Sequence, residues 1–500
     1  MLRLNVYFDE TRLTDGTLLT ASIDRANYKV TFAVLVVGVS AYALLQSLVI
    51  PALTTIQSVM HTNQNTVTWV ITAYLLSASI FTPIMGRLGD MIGKEHVLIA
   101  TLLALSVGSV IAALAHSITV LIIGRAVQGV GGGVMPLSFG IIRDEFPKER
   151  LSSAIGTIAA MTAVGGGAGL VIGGPIINSL GFHWLFWIPL IMTTVAALFT
   201  YLYIPESPVR TKGRISWLAS ISLSAWLVTI LLGVSEAPVW GWGSPKVIAL
   251  LLASAVLIAA WIKIETTVRS PLIDMKMMRI PAVWTNNLVS FLFGVGLYSV
   301  MAFLPEFLQT SRSVGYGFGA STVTSGLYLM PMTFGMFMLG LYSGKIAAKY
   351  GSKFAVILGS AISCAGYVVL ALAHSENWEI YLASALLGIG LGLAFSAMSN
   401  LIVLAVPPAQ TGVASGMNAN IRTIGGAVGA GVMSSIVTST LLRSGVPAES
   451  GYVHGFIFLA IITLFAVVAA ALIPAAVPDG QVHLAHAELA IVPGGTITEG

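Results

Sequence analysis

Apolar residues in this chain come in long runs separated by short polar stretches, and the runs are long enough to matter. A helix needs about 20 mainly apolar residues to cross the hydrocarbon core of a bilayer. Fourteen runs qualify, near 31–51, 67–85, 97–115, 118–141, 153–177, 184–204, 216–234, 246–264, 283–305, 323–343, 354–373, 379–402, 412–440 and 453–474. The weakest separation is the stretch VPPAQTGV between the last two pairs. The pattern predicts an all-α polytopic membrane protein with fourteen transmembrane helices.

Composition agrees. Hydrophobic residues make up 56% of the 500 and charged ones 9%, whereas soluble domains carry about 25% charged residues. A water-soluble fold is excluded. Lys and Arg also accumulate in cytoplasmic loops, which fixes an orientation. With both termini cytoplasmic, all of the 24 Lys and Arg fall in inner segments except Lys246, Arg312 and Arg443 in outer loops and Arg125 and Arg422 inside spans. The net charge of +4 therefore belongs to the inner face and implies no nucleic acid. The expected location is the cell membrane. The single cysteine, Cys364, has no partner in the chain and reads as a small core residue.

The glycines repeat. Gly156, Gly165, Gly166 and Gly169 in helix five match Gly416, Gly425, Gly426 and Gly429 in helix thirteen, each 260 positions on. Gly129, Gly131 and Gly133 match Gly388, Gly390 and Gly392 at an offset of 259, and GRLGDMIGK at 86 faces GKIAAKYGS at 344. Helices one to six thus recur as nine to fourteen. The division is a tail (1–28), a six-helix bundle (29–204), a two-helix insertion (205–281), a second six-helix bundle (282–475) and a tail (476–500). Two bundles in parallel repeat imply a cavity at their interface that opens to either side in turn.

GRLGDMIGK reads as the cytoplasmic turn between helices two and three: Gly86, Arg87, Leu88, Asp90, Gly93 and Lys94. Glycine there permits a tight turn and close approach, and Asp90, just ahead of helix three, suits that helix's dipole. The residues alone also fit an ordinary solvated loop. Here the chain resembles the major facilitator superfamily, whose signature G-x-L-a-D-r-x-G-r-k is matched at Gly86, Leu88, Asp90, Gly93 and Lys94 and departed from at Met91 and Glu95. The resemblance implies a gate latch in which Asp90 bonds the opposite half.

Helix four, LIIGRAVQGVGGG, resembles the family's l-x-x-x-R-x-x-q-G-x-g at Leu121, Arg125, Gln128 and Gly129. A charge inside a span is costly and marks a functional candidate. Arg125 and Gln128 share a helix face, and a guanidinium there can fork to the Gln128 carbonyl or to a backbone oxygen. Snorkelling to the outer headgroups is the alternative. Helix five resembles the antiporter signature g-x-x-x-G-P-x-x-G-G at Gly165, Gly169, Gly173 and Gly174, with Leu170 in the proline's place; close helix packing explains part of that signal. Fourteen helices, these motifs and FHWLFWIP at 182–189 together resemble the drug:H⁺ antiporter branch, of multidrug efflux type.

The usual proton-carrying aspartate of helix one is missing. Leu45 stands at its position, with Gln46 and Ser47 beside it, and no Asp or Glu occurs between residues 25 and 89. Glu306, at the outer end of helix nine, is the nearest substitute, or else an interfacial carboxylate; Glu236 is another. Polar and aromatic residues expected to line the cavity are Gln46, Tyr74, Asn286, Asn287, Tyr298, Asn400, Asn418, Asn420 and Arg422, some of them serving as helix–helix ties instead. Such a lining suits lipophilic compounds, cationic ones included.

An intramembrane enzyme would need a metal or nucleophile constellation, and the chain has no HExxH, no Ser/His/Asp grouping and no cysteine pair. No GxxxxGK[ST] motif provides for nucleotide. Neither metal nor cofactor is expected. The reading is a monomeric secondary transporter in a lipid bilayer, exporting lipophilic drugs or related small molecules in exchange for protons. An exporter of a metabolite or lipid-like compound is the alternative.

Overall fold

The computed structural model describes residues 27–62, 64–207, 216–268, 271–443 and 445–474. Fourteen long helices run through them: α1 (Tyr28–Leu48), α2 (Gln64–Ile92), α3 (Lys94–Ala113), α4 (Ile118–Gln128, continued through Gly129–Gly133 into Val134–Glu145), α5 (Lys148–Leu180), α6 (Trp184–Tyr203), α7 (Trp217–Trp240), α8 (Pro245–Thr267), α9 (Pro281–Gln309), α10 (Met330–Tyr350), α11 (Ser352–Leu372), α12 (Asn377–Ala405), α13 (Thr411–Val437) and α14 (Glu449–Ala471). Among the described residues, thirteen are long and apolar enough to cross a membrane. The exception is α13, 27 residues long, whose apolar character is diluted by Asn418, Asn420, Arg422 and its glycines. It packs among the others along its length, against α9, α2 and α7. The tails expected at 1–28 and 476–500 lie outside the described residues, apart from Asn27 and Tyr28.

The glycine repeat is a repeat of packing. On α5, a Cβ at Gly165 would meet Ala43 and the Ser40 carbonyl of α1, and one at Gly169 would meet Ser47. On α13, Gly425 abuts the Phe291 carbonyl of α9 and Gly429 abuts Val295. The same spacing presses α5 onto α1 and α13 onto α9. Likewise Gly129 and Gly133 seat α4 on Ser77 and Met85 of α2, while Gly388 and Gly392 seat α12 on Met332 and Met336 of α10. Small residues let backbones approach within van der Waals range where lipid offers no hydrophobic drive. Between Gly129 and Gly133, α4 winds as a 3-10 helix; glycines hold the α form weakly, and this segment is wedged between α2 and Leu105 of α3.

The halves meet along two seams, α5 with α10 and α2 with α13. α7 and α8 pack on each other, and α7 leans on α13 and α2 at the second seam. α8 exposes Ile248, Leu252, Val256 and Ile262, a surface suited to lipid.

One expectation needs correcting. Residues 86–92 do not form a turn: α2 continues through Gly86, Leu88, Gly89 and Asp90 to Ile92. The break is confined to Gly93, whose φ of 119° favours glycine, and α3 starts at Lys94. The repeat copy behaves alike, helical to Tyr350 with Gly351 at φ 86°. Gly and charged residues signal a loop only when solvent covers them; here α13 does.

Candidate functional site

Helical continuation puts Gly86 and Asp90 one turn apart on the same face of α2, aimed at the first residues of α13. Gly86 lies so close to α13 that a Cβ would sit 2.5 Å from the Gly412 carbonyl oxygen. Asp90 is fully buried, and its Oδ2 accepts the Val413 backbone N–H at 3.2 Å. The first N–H groups of a helix have no partner inside it and carry the positive end of its dipole. The helix that Asp90 serves is therefore α13 of the opposite half, not α3 as its sequence position suggests. Lys94 Nζ stands 4.0 Å from Asp90 Oδ1 and 2.7 Å from Asp144 Oδ2, and donates to Ser207 Oγ at 3.2 Å. From α4, Arg143 donates to Thr411 Oγ1 at 2.7 Å and to the Val403 carbonyl, a second tie across the halves. Asn420 Nδ2 donates to the Ser79 carbonyl of α2 at 2.6 Å, a third. Arg87 is buried and Leu88 half-buried beside them.

Arg125 points into the first bundle. It is fully buried, its Nε donates to the Val70 carbonyl of α2 at 3.0 Å and its Nη1 to Gln128 Oε1 at 2.7 Å. Gln128 Nε2 donates to Ser109 Oγ of α3 at 2.9 Å. The guanidinium also stacks on Tyr74, 4.2 Å from the ring centroid. Snorkelling is excluded. Arg125 and Gln128 together tie α2, α3 and α4, and Arg125 packs against Tyr74.

Between the halves lies a pocket lined by Met135, Pro136 and Phe139 of α4, Ser399 and Ile402 of α12, and Ser415, Asn418, Ala419 and Arg422 of α13. Its free space of about 10 Å³ holds roughly one water. The Arg422 guanidinium sits 4.3 Å from the centroid of Phe395. Tyr42 of α1 and Tyr298 of α9 are close enough to interact with it electrostatically, and Tyr74 adjoins Tyr42.

The expected cavity residues divide. Arg422 and Asn418 line the pocket, Tyr298 and Tyr42 interact with Arg422, and Tyr74 bonds Tyr42. Asn286 donates to the Met398 carbonyl at 3.0 Å and Asn400 to Ser352 Oγ at 3.0 Å, so both tie helices of the second bundle. Asn287 accepts from Asn418 at 2.8 Å, which also bonds Ser290. Gln46 is half-buried on α1. At the missing acid's position Leu45 is buried, and Ser47 donates to the Gly165 carbonyl of α5 at 3.2 Å. Gly173 is buried on α5, while Gly174 faces Val323.

Glu306 lies apart from this group. Its side chain is exposed at the end of α9 opposite Asp90, where Oε1 accepts the Tyr452 hydroxyl at 3.0 Å. At the Asp90 end, Glu95, exposed His96 and Glu206 bring ligand-type atoms within 4.8 Å of one another. No metal was expected from spacing, and Glu206 is too remote in sequence for spacing to show this group. Met135, Pro136, Phe139 and Tyr42 were also not foreseen. Met135 and Phe139 are one turn apart on α4 and share a face, but apolar residues in an apolar helix announce nothing.

The sequence profile of the Major Facilitator Superfamily matches residues 35–430. Multidrug transporter protein MdtP of Bacillus subtilis is 26% identical over 382 residues, covering 76% of this chain and 69% of its own length. The tetracenomycin C resistance and export protein of Streptomyces glaucescens is 26% identical over 420 residues, 82% of this chain and 76% of its own. Among solved structures, the proton:xylose symporter XylE bound to 6-bromo-6-deoxy-D-glucose superposes with a TM-score of 0.63 at 14% identity, covering 89% of this chain and 96% of that one.

Proposed function

We infer that this chain, which belongs to the Major Facilitator Superfamily and is a transporter rather than an enzyme, exports lipophilic drug-like molecules by alternating access. The observation that supports this most is the closure of the two bundles at one end. Asp90–Val413 and Arg143–Thr411 cross between halves there, and Asn420–Ser79 crosses deeper, near the level of Arg422, beside a pocket shut down to about one water. Each crossing contact is a hydrogen bond or a glycine contact that can part without unfolding either bundle. Opening that end and closing the other exposes Arg422 and Asn418 alternately to the two sides.

The sealed end carries Arg87, Lys94, Arg143, Lys345 and Lys349, and the positive-inside bias supports a cytoplasmic side for it and, in this reading, for both termini, in the cell membrane. The state described is then closed to the cytoplasm. Relatives named for multidrug transport and tetracenomycin C export support a drug substrate and the outward direction. An exported metabolite or lipid-like compound fits the same geometry. Proton exchange supplies the drive in this reading, with Glu306 as the proton site because α1 offers no acid. The protein acts as a monomer, each chain holding a whole pocket.

Inverted membrane vesicles test this directly. With an acid interior, drug or dye uptake above that of vesicles lacking the protein is expected, and collapsing the pH gradient should abolish it. Uptake indifferent to the gradient removes proton exchange; no uptake of any compound removes export.

A further inference from the structure

Among the described residues, Arg422 is unlike every other charge. It lies near the middle of α13, about 16 Å along the helix from Thr411 at 1.5 Å per residue, and lines the pocket between the halves. Among the described residues no carboxylate pairs with it, and no hydrogen-bond acceptor reaches its guanidinium, which lies over the face of Phe395. Every described carboxylate sits in the terminal turns of its helix or between helices, from Asp90 and Asp144 at one end to Glu306 and Glu449 at the other. Arg125, also within the bilayer, is bonded to Val70 and Gln128 and stacked on Tyr74, and it does not line the pocket. Behind Tyr74 it adds a second positive charge to the same region.

A guanidinium at bilayer depth is costly without a counter-charge. At low dielectric, an uncompensated one attracts anions and repels cations far more strongly than it does in water. Its planar fork of donors matches a carboxylate or sulfonate two-pronged. Around it, Phe395, Phe139, Met135, Tyr42 and Tyr298 offer an apolar and aromatic wall. We propose that the substrate is an organic anion with an aromatic or apolar body, its acid group held by Arg422. This rests on the transporter reading above and runs opposite to the expectation that cationic compounds suit the cavity.

Two probes with one ring system separate the charges: naphthalenesulfonate, permanently anionic, and naphthylmethyltrimethylammonium, permanently cationic. Equilibrium binding to purified full-length protein in detergent and uptake into proteoliposomes are both measured. The sulfonate should bind wild-type protein and the ammonium should not. Arg422→Gln should weaken sulfonate binding by about tenfold or more, with Arg422→Lys intermediate because it keeps the charge and loses the fork. Unchanged elution on gel filtration and an unchanged melting temperature without ligand show that each variant is folded. Tighter binding of the ammonium than the sulfonate by wild-type protein, or sulfonate binding unaltered in folded Arg422→Gln, overturns the proposal. Uptake of the ammonium without the sulfonate overturns the anion assignment and leaves the transporter reading standing. Sulfonate bound through Arg422 but never moved does the reverse.

Discussion

Asp90→Asn removes one negative charge from the buried contact between α2 and the first turn of α13 and changes the side chain's shape very little. The contact it weakens is a hydrogen bond from the Val413 N–H at 3.2 Å, made at the positive end of the α13 dipole. A hydrogen bond to a charged group contributes about 1.5–3 kcal/mol, and a charge at a helix end about 0.3–1 kcal/mol. Asn keeps an oxygen that can accept the same N–H at roughly half the strength. The closed state should therefore lose about 1–2 kcal/mol, an approximately five- to thirtyfold shift in a two-state equilibrium. Lys94 keeps Asp144 as a partner at 2.7 Å, so the first bundle stays intact. Export in inverted vesicles, normalised to the protein inserted in the membrane, should fall severalfold while insertion is unchanged. Wild-type export by Asp90→Asn at equal expression would refute the latch.

Arg125→Ala should abolish transport more completely than Arg422→Ala, because Arg125, with Gln128, joins three helices of one bundle; Arg125→Lys should rescue little, since a lysine cannot reach Val70 and Gln128 with two arms, and full activity in that variant would point to a plain charge role. Gly169→Ala should lower melting temperature and yield, its Cβ colliding with Ser47 Oγ, at about 1–3 kcal/mol for overpacking, whereas Gly166→Ala, with nothing within 4 Å, should be neutral in the same thermal assay. Glu306→Gln should abolish gradient-driven uptake but spare substrate binding and counterflow exchange; unchanged gradient-driven uptake would reject Glu306 as the proton site.

The bundle was legible because a bilayer imposes helix length on sequence: each apolar run became a helix, and the glycine offsets became matching seams, α5 on α1 and α13 on α9. Arg125 was legible because a charge inside a span stands out, and its partners followed from the side chain three residues on. Asp90's partner was not, because nothing local says which distant helix start faces it. Whether Asn286 and Asn400 point to a cavity or to a neighbouring helix was equally hidden. Both are polar residues in apolar spans, and only the packing partner tells them apart. Met135 and Phe139 were hidden for the opposite reason, being apolar like their surroundings.

The central claim is that the two bundles must part at the Asp90 end during each cycle. With Cys364→Ser as background, Arg143→Cys and Thr411→Cys place two thiols across the halves at the Asp90 end, on positions whose side chains now bond each other. A bis-thiosulfonate reagent, which joins them through two reducible disulfides, should stop the export that the unlinked double variant shows in inverted vesicles, and reduction should restore it. Export that continues at the uncross-linked rate in fully cross-linked protein would contradict the account.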